Sequence, residues 1–574
     1  MAFFSLHAYD ADMWIPEFRG IRQDESLNPD VRYAAAAENV ETPNGILQPH
    51  AAYSIMRGTF TDRVETLATL HRRWYDGLGS KDWLICASGG LLYYMQSGED
   101  DQWYPITMPG DIPSFGCNVW SWVTYEQYDN VSEKTVDVML ISNATDGMFM
   151  ITPPDRPTTH DDLNAFTNTQ LEAQTHDELT SPAWTISAVT THGYKFGVIE
   201  RYAERIWGAD IPGHPDKLVY SAAYKPTEWR PFKPDADPDD PDWGIGQPED
   251  GAGDIDQPSW DGDSFKDLKA FGGQLIAFKE HRAWRVMGTN PGEYELTEQF
   301  GGGAPYFNTV AVDVEQILMA NRDGLESYDG MSTRPYARNQ FDDIWRSINK
   351  NAMDQMCAAM WQGRYYLAIP TNGSERNNAM IVVDTTAGTI LFYTDINIEA
   401  FMQLNEQLYA TSADLPGKII VMQYDSWQAG KSTGAATRWM SPWTDFGYKK
   451  IVKGGFELYF TPEVQEEPVT IRISIQTEKK TKTKSYTVQP LDVVSEGMTW
   501  EAVAEKTWGE IVEAYKWKDL SGKTDIVVRQ FKHKRLHFSG TGRRFRVIIE
   551  TDAGTTAPWR LIGGLHMVVE TDPD

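Results

Sequence analysis

Cysteine is scarce: three residues, Cys86, Cys117 and Cys357, in a chain of 574. Three thiols exclude a disulfide framework and a cysteine-rich zinc module, and they suit folding in a reducing compartment. Positive charge is also short. Lys plus Arg number 52 against 82 Asp plus Glu, a formal net charge of −30. That excludes a chain that holds nucleic acid by bulk charge, because phosphate binding needs a positive surface. No apolar run reaches the roughly 18 residues a membrane helix requires. The first ten residues lack a basic segment, and Asp10 and Asp12 interrupt the apolar stretch, so the opening does not read as a signal peptide. No lipidation motif is seen. Helical periodicity is rare as well. Its best instance is residues 61–77, where Val64, Leu67, Leu70 and Trp74 fall three or four apart and predict a helix.

What is abundant is aromatic residues, 12% of the chain, and short apolar runs closed by Gly, Asp, Asn and Pro. The runs come in pairs. Residues 82–88 turn at Gly89-Gly90 into 91–95, and 137–143 turn at Gly147 into 148–151. Residues 195–199 lead to 205–208, 274–280 to 283–287, and 317–322 turn at Asp323-Gly324 into 325–328. Residues 364–369 lead to 379–384, and 407–411 to 418–422. Gly-Gly and Asp-Gly supply the positive φ that a tight hairpin needs. The spacing of the pairs, on the order of 40–60 residues, is that of propeller blades. Radial stacking covers both faces of each small sheet, which no single hairpin achieves alone. The rival all-β reading, a set of sandwiches, would show strands every 8–12 residues with no longer period.

The expectation is therefore an all-β chain in three parts. An N-terminal extended arm covers 1–66. A β-propeller of about seven blade-like repeats covers 67–436, with an acidic insertion at 234–263. A C-terminal β-sandwich-like domain covers 437–574, where period-two alternation recurs, as in Val469-Thr-Ile-Arg-Ile-Ser-Ile475. Residues 497–521 read as a helix or an inserted lobe within it.

Chemistry-bearing motifs are few. H-E-x-x-H, Walker A, G-x-S-x-G and G-x-G-x-x-G are absent, as is the repeated sialidase box S-x-D-x-G-x-x-W. Gly301-Gly-Gly303 has no strand-then-helix context and reads as a loop between blades. The acidic insertion offers carboxylates to Ca²⁺ but lacks EF-hand spacing. Trp83, Trp103, Trp184, Trp207, Trp229, Trp284 and Trp361 read as inter-blade core rather than a sugar-binding channel. No catalytic, cofactor or metal residue is assigned, and the expectation is a protein that is not an enzyme. Basic residues concentrate late in the chain, at Lys479-Lys-Thr-Lys-Thr-Lys484 and at Arg529-Gln-Phe-Lys-His-Lys-Arg535, continuing to Arg543, Arg544 and Arg546. They suit a solvated sheet face, a nucleic-acid contact or the acidic surface of a neighbouring subunit. The subunit reading is favoured, because a chain of this charge that assembles must manage its self-repulsion.

Several stretches together resemble the β-propeller virion proteins of tailed bacteriophages, of the tail tubular or nozzle type. They are Gly20-Ile-Arg-Gln-Asp-Glu-Ser-Leu-Asn-Pro29 with Asn39-Val40 and Gly45-Ile-Leu47; Arg205-Ile-Trp-Gly followed by Lys217-Leu-Val-Tyr-Ser-Ala-Ala-Tyr-Lys-Pro-Thr-Glu-Trp229; and Asn321-Arg-Asp-Gly-Leu-Glu-Ser-Tyr-Asp-Gly330. The likeness spans about residues 15–430, with Gln48-Pro-His50 standing where such proteins usually carry Arg-Pro-Gly. It implies a structural virion component made in the host cytoplasm, forming a homo-oligomeric ring, six copies being usual. The ring would extend the DNA-ejection conduit below a tail adaptor, with DNA only in transit, no cofactor and no membrane partner. Residues 1–66 together with 437–574 would form the ring platform. The reading set against it is a carbohydrate-binding or glycan-degrading propeller. A cytoplasmic WD-type scaffold is disfavoured by the lack of G-H and W-D signatures.

Overall fold

The computed structural model describes residues 10–23, 29–56, 62–74, 79–96, 103–110, 112–129, 134–153, 184–230, 251–258, 262–299, 301–337, 340–445, 452–490 and 533–572. Two compact units are present. Unit 2 is the continuous segment Tyr53–Gln423, and unit 1 joins Met1–Ala52 to Tyr424–Asp574.

Among the described residues, unit 2 consists of seven four-stranded antiparallel sheets in chain order. The first contains Val64–Trp74, Gly79–Ser88, Leu91–Gln96 and Tyr104–Pro105. The second contains Ser121–Asp129, Lys134–Asn143, Gly147–Thr152 and Thr185–Ala188, and the third Val198–Tyr202, Arg205–Ala209, Lys217–Tyr220 and Gly253–Asp256. The fourth runs from Phe265–Phe271 to Glu295–Gln299, the fifth from Ala311–Val312 to Thr333–Tyr336, and the sixth from Cys357–Trp361 to Thr389–Tyr393. The seventh contains Ile398–Leu404, Gln407–Ser412 and Ile419–Val421. Its fourth strand comes from far upstream, Ser54–Ile55, which pairs with Val421 and Ile420.

Period-two alternation explains why these strands read as unbroken apolar runs. In Gly79–Ser88, Trp83, Ile85 and Ala87 join a core with Met139, Ile141 and Phe149 of the second sheet. The intervening Leu84 and Cys86 join a core with Met402, Leu404 and Ile419 of the seventh. A strand buried on both faces has no polar face to alternate with. Similar cores join the second sheet to the third, the third to the fourth, the fourth to the fifth and the fifth to the sixth. The first strand of each sheet lies against the first strand of the next, or against the short turn Phe307–Thr309 that leads into the fifth. Ile398–Leu404 of the seventh lies against Val64–Trp74 of the first, so the circuit closes.

The helix expected over 61–77 is not formed: Val64–Trp74 is a strand, paired along its length with Gly79–Ser88. The physical reason is a register shift between Val64 and Thr66. Beyond it, Ala68 and Leu70 face one neighbour while Leu67 faces the other. Burial on two faces plus a bulge imitates a three-four spacing. Within the stretch expected as an arm, 1–66, Ser54–Ile55 and the start of Val64–Trp74 belong to sheet strands of unit 2.

Unit 1 has two larger sheets. One has the order Asp10–Ile15, Trp559–Asp572, Val452–Val464, Lys534–Gly542, and the other Ala36–Glu38, Thr437–Met440, Phe545–Thr551, Val469–Thr477, Thr481–Val488. Each sheet takes one edge strand from the N-terminal segment and its remaining strands from the C-terminal one. Phe456 meets Phe545 across the two sheets with ring centroids 4.7 Å apart, and Phe460 meets Tyr486 at 5.7 Å. Phe18 packs edge-on against the fully buried Trp439 at 5.0 Å, fixing the N-terminal segment in that core.

Candidate functional site

The basic run noted in the sequence is where the structure builds a cavity. Thr477 closes the hairpin between Val469–Thr477 and Thr481–Val488. Its hydroxyl donates to the Lys480 carbonyl at 3.0 Å and accepts from the Lys480 amide at 3.1 Å. Lys482 and Lys484 stand opposite Ile475 and Ile473 in register, so they share the face of two buried isoleucines instead of pointing away. Across from them, Lys534–Gly542 carries a bulge. Gly454 pairs with Thr541 and Phe456 with Phe538, leaving Ser539 and Gly540 opposite Gly455 alone. Gly455 sits at φ +68°, a conformation that suits glycine. Bulges re-aim side chains and open sheets locally.

The result is a cavity of about 380 Å³. Phe456, Phe538 and Ile475 form the apolar floor, and Lys479, Lys480 and Lys482 the rim with Ser539, Gly540 and Thr541. Lys484 reaches over the Phe538 ring with its Nζ 5.6 Å from the centroid, and Lys534 over Tyr486 at 5.5 Å. Among the described residues, Lys479, Lys480 and Lys482 have no carboxylate at ion-pair distance. Glu478, immediately before them in sequence, turns instead to accept the Arg543 amide at 3.1 Å. Of the second basic run, residues 529–532 lie outside the described residues. Arg535 pairs with Glu457, and Arg546 lies over Trp443 at 4.7 Å.

The acidic stretch 234–263 is described only in part. Asp254 and Asp256 both bind the Lys217 ammonium, Asp256 at 3.0 Å. Asp263 accepts the His281 amide at 3.2 Å. Asp263, Glu280 and His281 bring three ligand atoms within 4.8 Å of one another, short of the six to eight oxygens a calcium ion takes, and the Asp263 carboxylate is already engaged in holding its turn. The remaining carboxylates from Asp235 to Asp250, and the lobe expected at 497–521, lie outside the described residues.

In unit 2 the tryptophans serve as core. Trp83, Trp103, Trp184, Trp207, Trp229 and Trp361 are buried, and Trp284 packs against the core joining the third and fourth sheets. Gly301-Gly302-Gly303 is a loop between the fourth and fifth sheets, and there is no room for a side chain on Gly303, whose Cβ would meet the Lys279 carbonyl at 2.1 Å. Burial pushes the thiols of Cys86, Cys117 and Cys357 upward, holding them protonated. A second cavity, of about 520 Å³, opens at the fifth sheet and the short helix Asp342–Ser347. Asp323, Glu326, Asp342 and Arg346 line it together with Tyr336 and Trp345. Burial raises the Glu326 carboxyl above its ordinary range.

No protein-family model matches the chain, and no curated protein matches it. Among solved structures it is similar to the WD40 domain of Pan2 from Neurospora crassa, at 8% identity and a TM-score of 0.33, over 65% of this chain and 97% of that one.

Proposed function

We propose that the chain is a structural component of a bacteriophage tail, of the nozzle or tail-tube type. In this reading unit 2 is a seven-bladed β-propeller and unit 1 a β-sandwich-like platform. Copies of the chain form a ring, six being favoured, that extends the DNA-ejection conduit below the tail adaptor. The observation that carries the reading is the construction of unit 1 from both ends of the chain. Among the described residues, Asp10–Ile15 forms the outer edge of its four-stranded sheet, paired only with Trp559–Asp572, and Trp14 on that edge is 65% exposed. An open edge strand with an exposed indole is suited to pairing with another chain. Contacts between unlike surfaces of successive copies generate a ring when the rotation closes. The closed circuit of seven sheets supplies a stiff body without long free edges.

Native mass spectrometry of the purified chain, with and without its adaptor, tests this reading. A particle of about six copies with a central hole is expected. A chain that stays monomeric with the adaptor present would refute it. A second reading, a carbohydrate-binding propeller, is favoured by the cavity lined by Asp323, Glu326, Tyr336 and Trp345, since sugar hydroxyls take carboxylates and aromatic walls as partners. Saturable binding in a glycan screen, lost in Glu326→Gln, would favour it over the first.

A further inference from the structure

We propose that the lysine-rimmed cavity of unit 1 binds the phosphodiester backbone of nucleic acid. Three features of the site point to that chemistry. The first is charge without a partner: Lys479, Lys480 and Lys482 converge on one cavity in a chain of net charge −30, and no described carboxylate neutralises them. Carboxylates are abundant in this sequence, so a basic rim with no ion-pair partner among the described residues is a local feature.

The second is the type of cation. Lysine binds phosphate as a compact point charge with three rotatable donors, without demanding one fixed geometry. The rim here is lysine, and the exposed hydroxyls of Ser539 and Thr541 add donors for the non-bridging oxygens. The apolar floor of Phe456 and Phe538, both buried, lowers the local dielectric and strengthens each contact.

The third is repetition. Lys482 and Lys484 are two residues apart on one strand and face the same way, which spaces their backbones by about 6.8 Å. That is comparable to the step between successive phosphates of an extended single strand. A lone phosphate would need only the cavity, whereas a chain of them matches the row. The inference does not depend on ring formation, because every residue it uses belongs to one copy.

The test is fluorescence anisotropy of a labelled single-stranded oligonucleotide with the full chain, at 50 mM salt and above. Binding should weaken as salt rises, with a log–log slope of about −2 if three phosphates are engaged at about −0.7 each. The double variant Lys480→Glu, Lys482→Glu should weaken binding at least tenfold. Gly540→Glu should do the same by placing a carboxylate in the cavity. A Cβ there meets only the Phe456 ring, at 3.6 Å, so the fold should tolerate it, and circular dichroism would verify that. Lys431→Glu, away from the cavity, should leave binding unchanged. Binding that is absent at 50 mM salt, or unchanged in both cavity variants, overturns the proposal. So does equal competition by inorganic phosphate at matched phosphate concentration, or by polyglutamate of matched charge, since these would make the site a general anion or acidic-protein contact.

Discussion

Glu200 lies on the first strand of the third sheet and Asp267 on the first strand of the fourth. Burial pushes the Glu200 carboxyl up to about 7 and the Asp267 carboxyl up to about 6, and the Lys269 ammonium, 3.2 Å from Asp267, only partly offsets this. Both values lie above those of the unfolded chain. Between about pH 4 and pH 7 the folded state therefore binds more protons than the unfolded state, and stability falls as pH rises through that window. Glu200→Gln removes one of the two groups. The variant should gain stability over the parent at pH 8 and lose that advantage at pH 5, read as the shift in urea midpoint. An equal shift at both values would show that desolvation of Glu200 has no energetic consequence. Gly303 provides a steric counterpart at the same scale. Its Cβ would meet the Lys279 carbonyl, the Arg282 amide and the His281 amide, all within 2.8 Å and all backbone. Gly303→Ala should cost about 1–3 kcal/mol, the usual range for overpacking, and Gly292→Ala, which meets nothing within 4 Å, should cost little.

At the scale of elements, hairpins were legible wherever the turn chemistry was local. Gly89 and Gly90 have φ of 59° and 78° between the paired Ser88 and Leu91, the positive pair a two-residue hairpin turn demands. The same turn recurs at Ala203-Glu204 and Asn405-Glu406, where no glycine marks it. The pairings that close the circuit had no local signal. Ser54–Ile55 joins Ile419–Val421 across more than 360 residues of chain, and nothing in either short segment announces the other. The lysine cavity was half legible: the basic run stood out, but the bulge at Ser539-Gly540 that opens the space beneath it depends on register with Gly455. The closing seam has its own polar bond. Arg63, just before the first strand, donates to Glu399 of the seventh sheet through both Nε, at 3.0 Å, and Nη2. The Glu399 carboxylate is 8% exposed, so removing its partner leaves a charge with little solvent. Arg63→Ala should destabilise unit 2 by roughly 1.5–3 kcal/mol, the range for hydrogen bonds to charged groups, and the double variant with Glu399→Gln should recover part of that loss. Urea unfolding of the single and double variants would measure the coupling.

For the whole molecule, the decisive feature is that the chain leaves unit 1 after Ala52 and re-enters it at Tyr424. Unit 1 is thus a closure of distant segments, and Asp10–Ile15 and Ala36–Glu38 are single edge additions to its two larger sheets. Removing residues 1–40 takes away Asp10–Ile15 and Ala36–Glu38, which uncovers Trp559–Asp572 and Thr437–Met440, and also removes Phe18 from Trp439. Unit 2 keeps every strand, because Ser54–Ile55 lies beyond the cut. Calorimetry of the truncated chain should show one transition unchanged and another lowered by several degrees, at about 2–4 °C per kcal/mol for units of this size. A uniform shift of both would mean that the units unfold as one. The same truncation separates stability from assembly. If the edge bearing Trp14 joins neighbouring copies, Trp14→Ala in the intact chain should abolish the ring while leaving both transitions in place. If the edge serves only to complete the sheet, the truncation should lower the melting transition and Trp14→Ala should leave the ring intact.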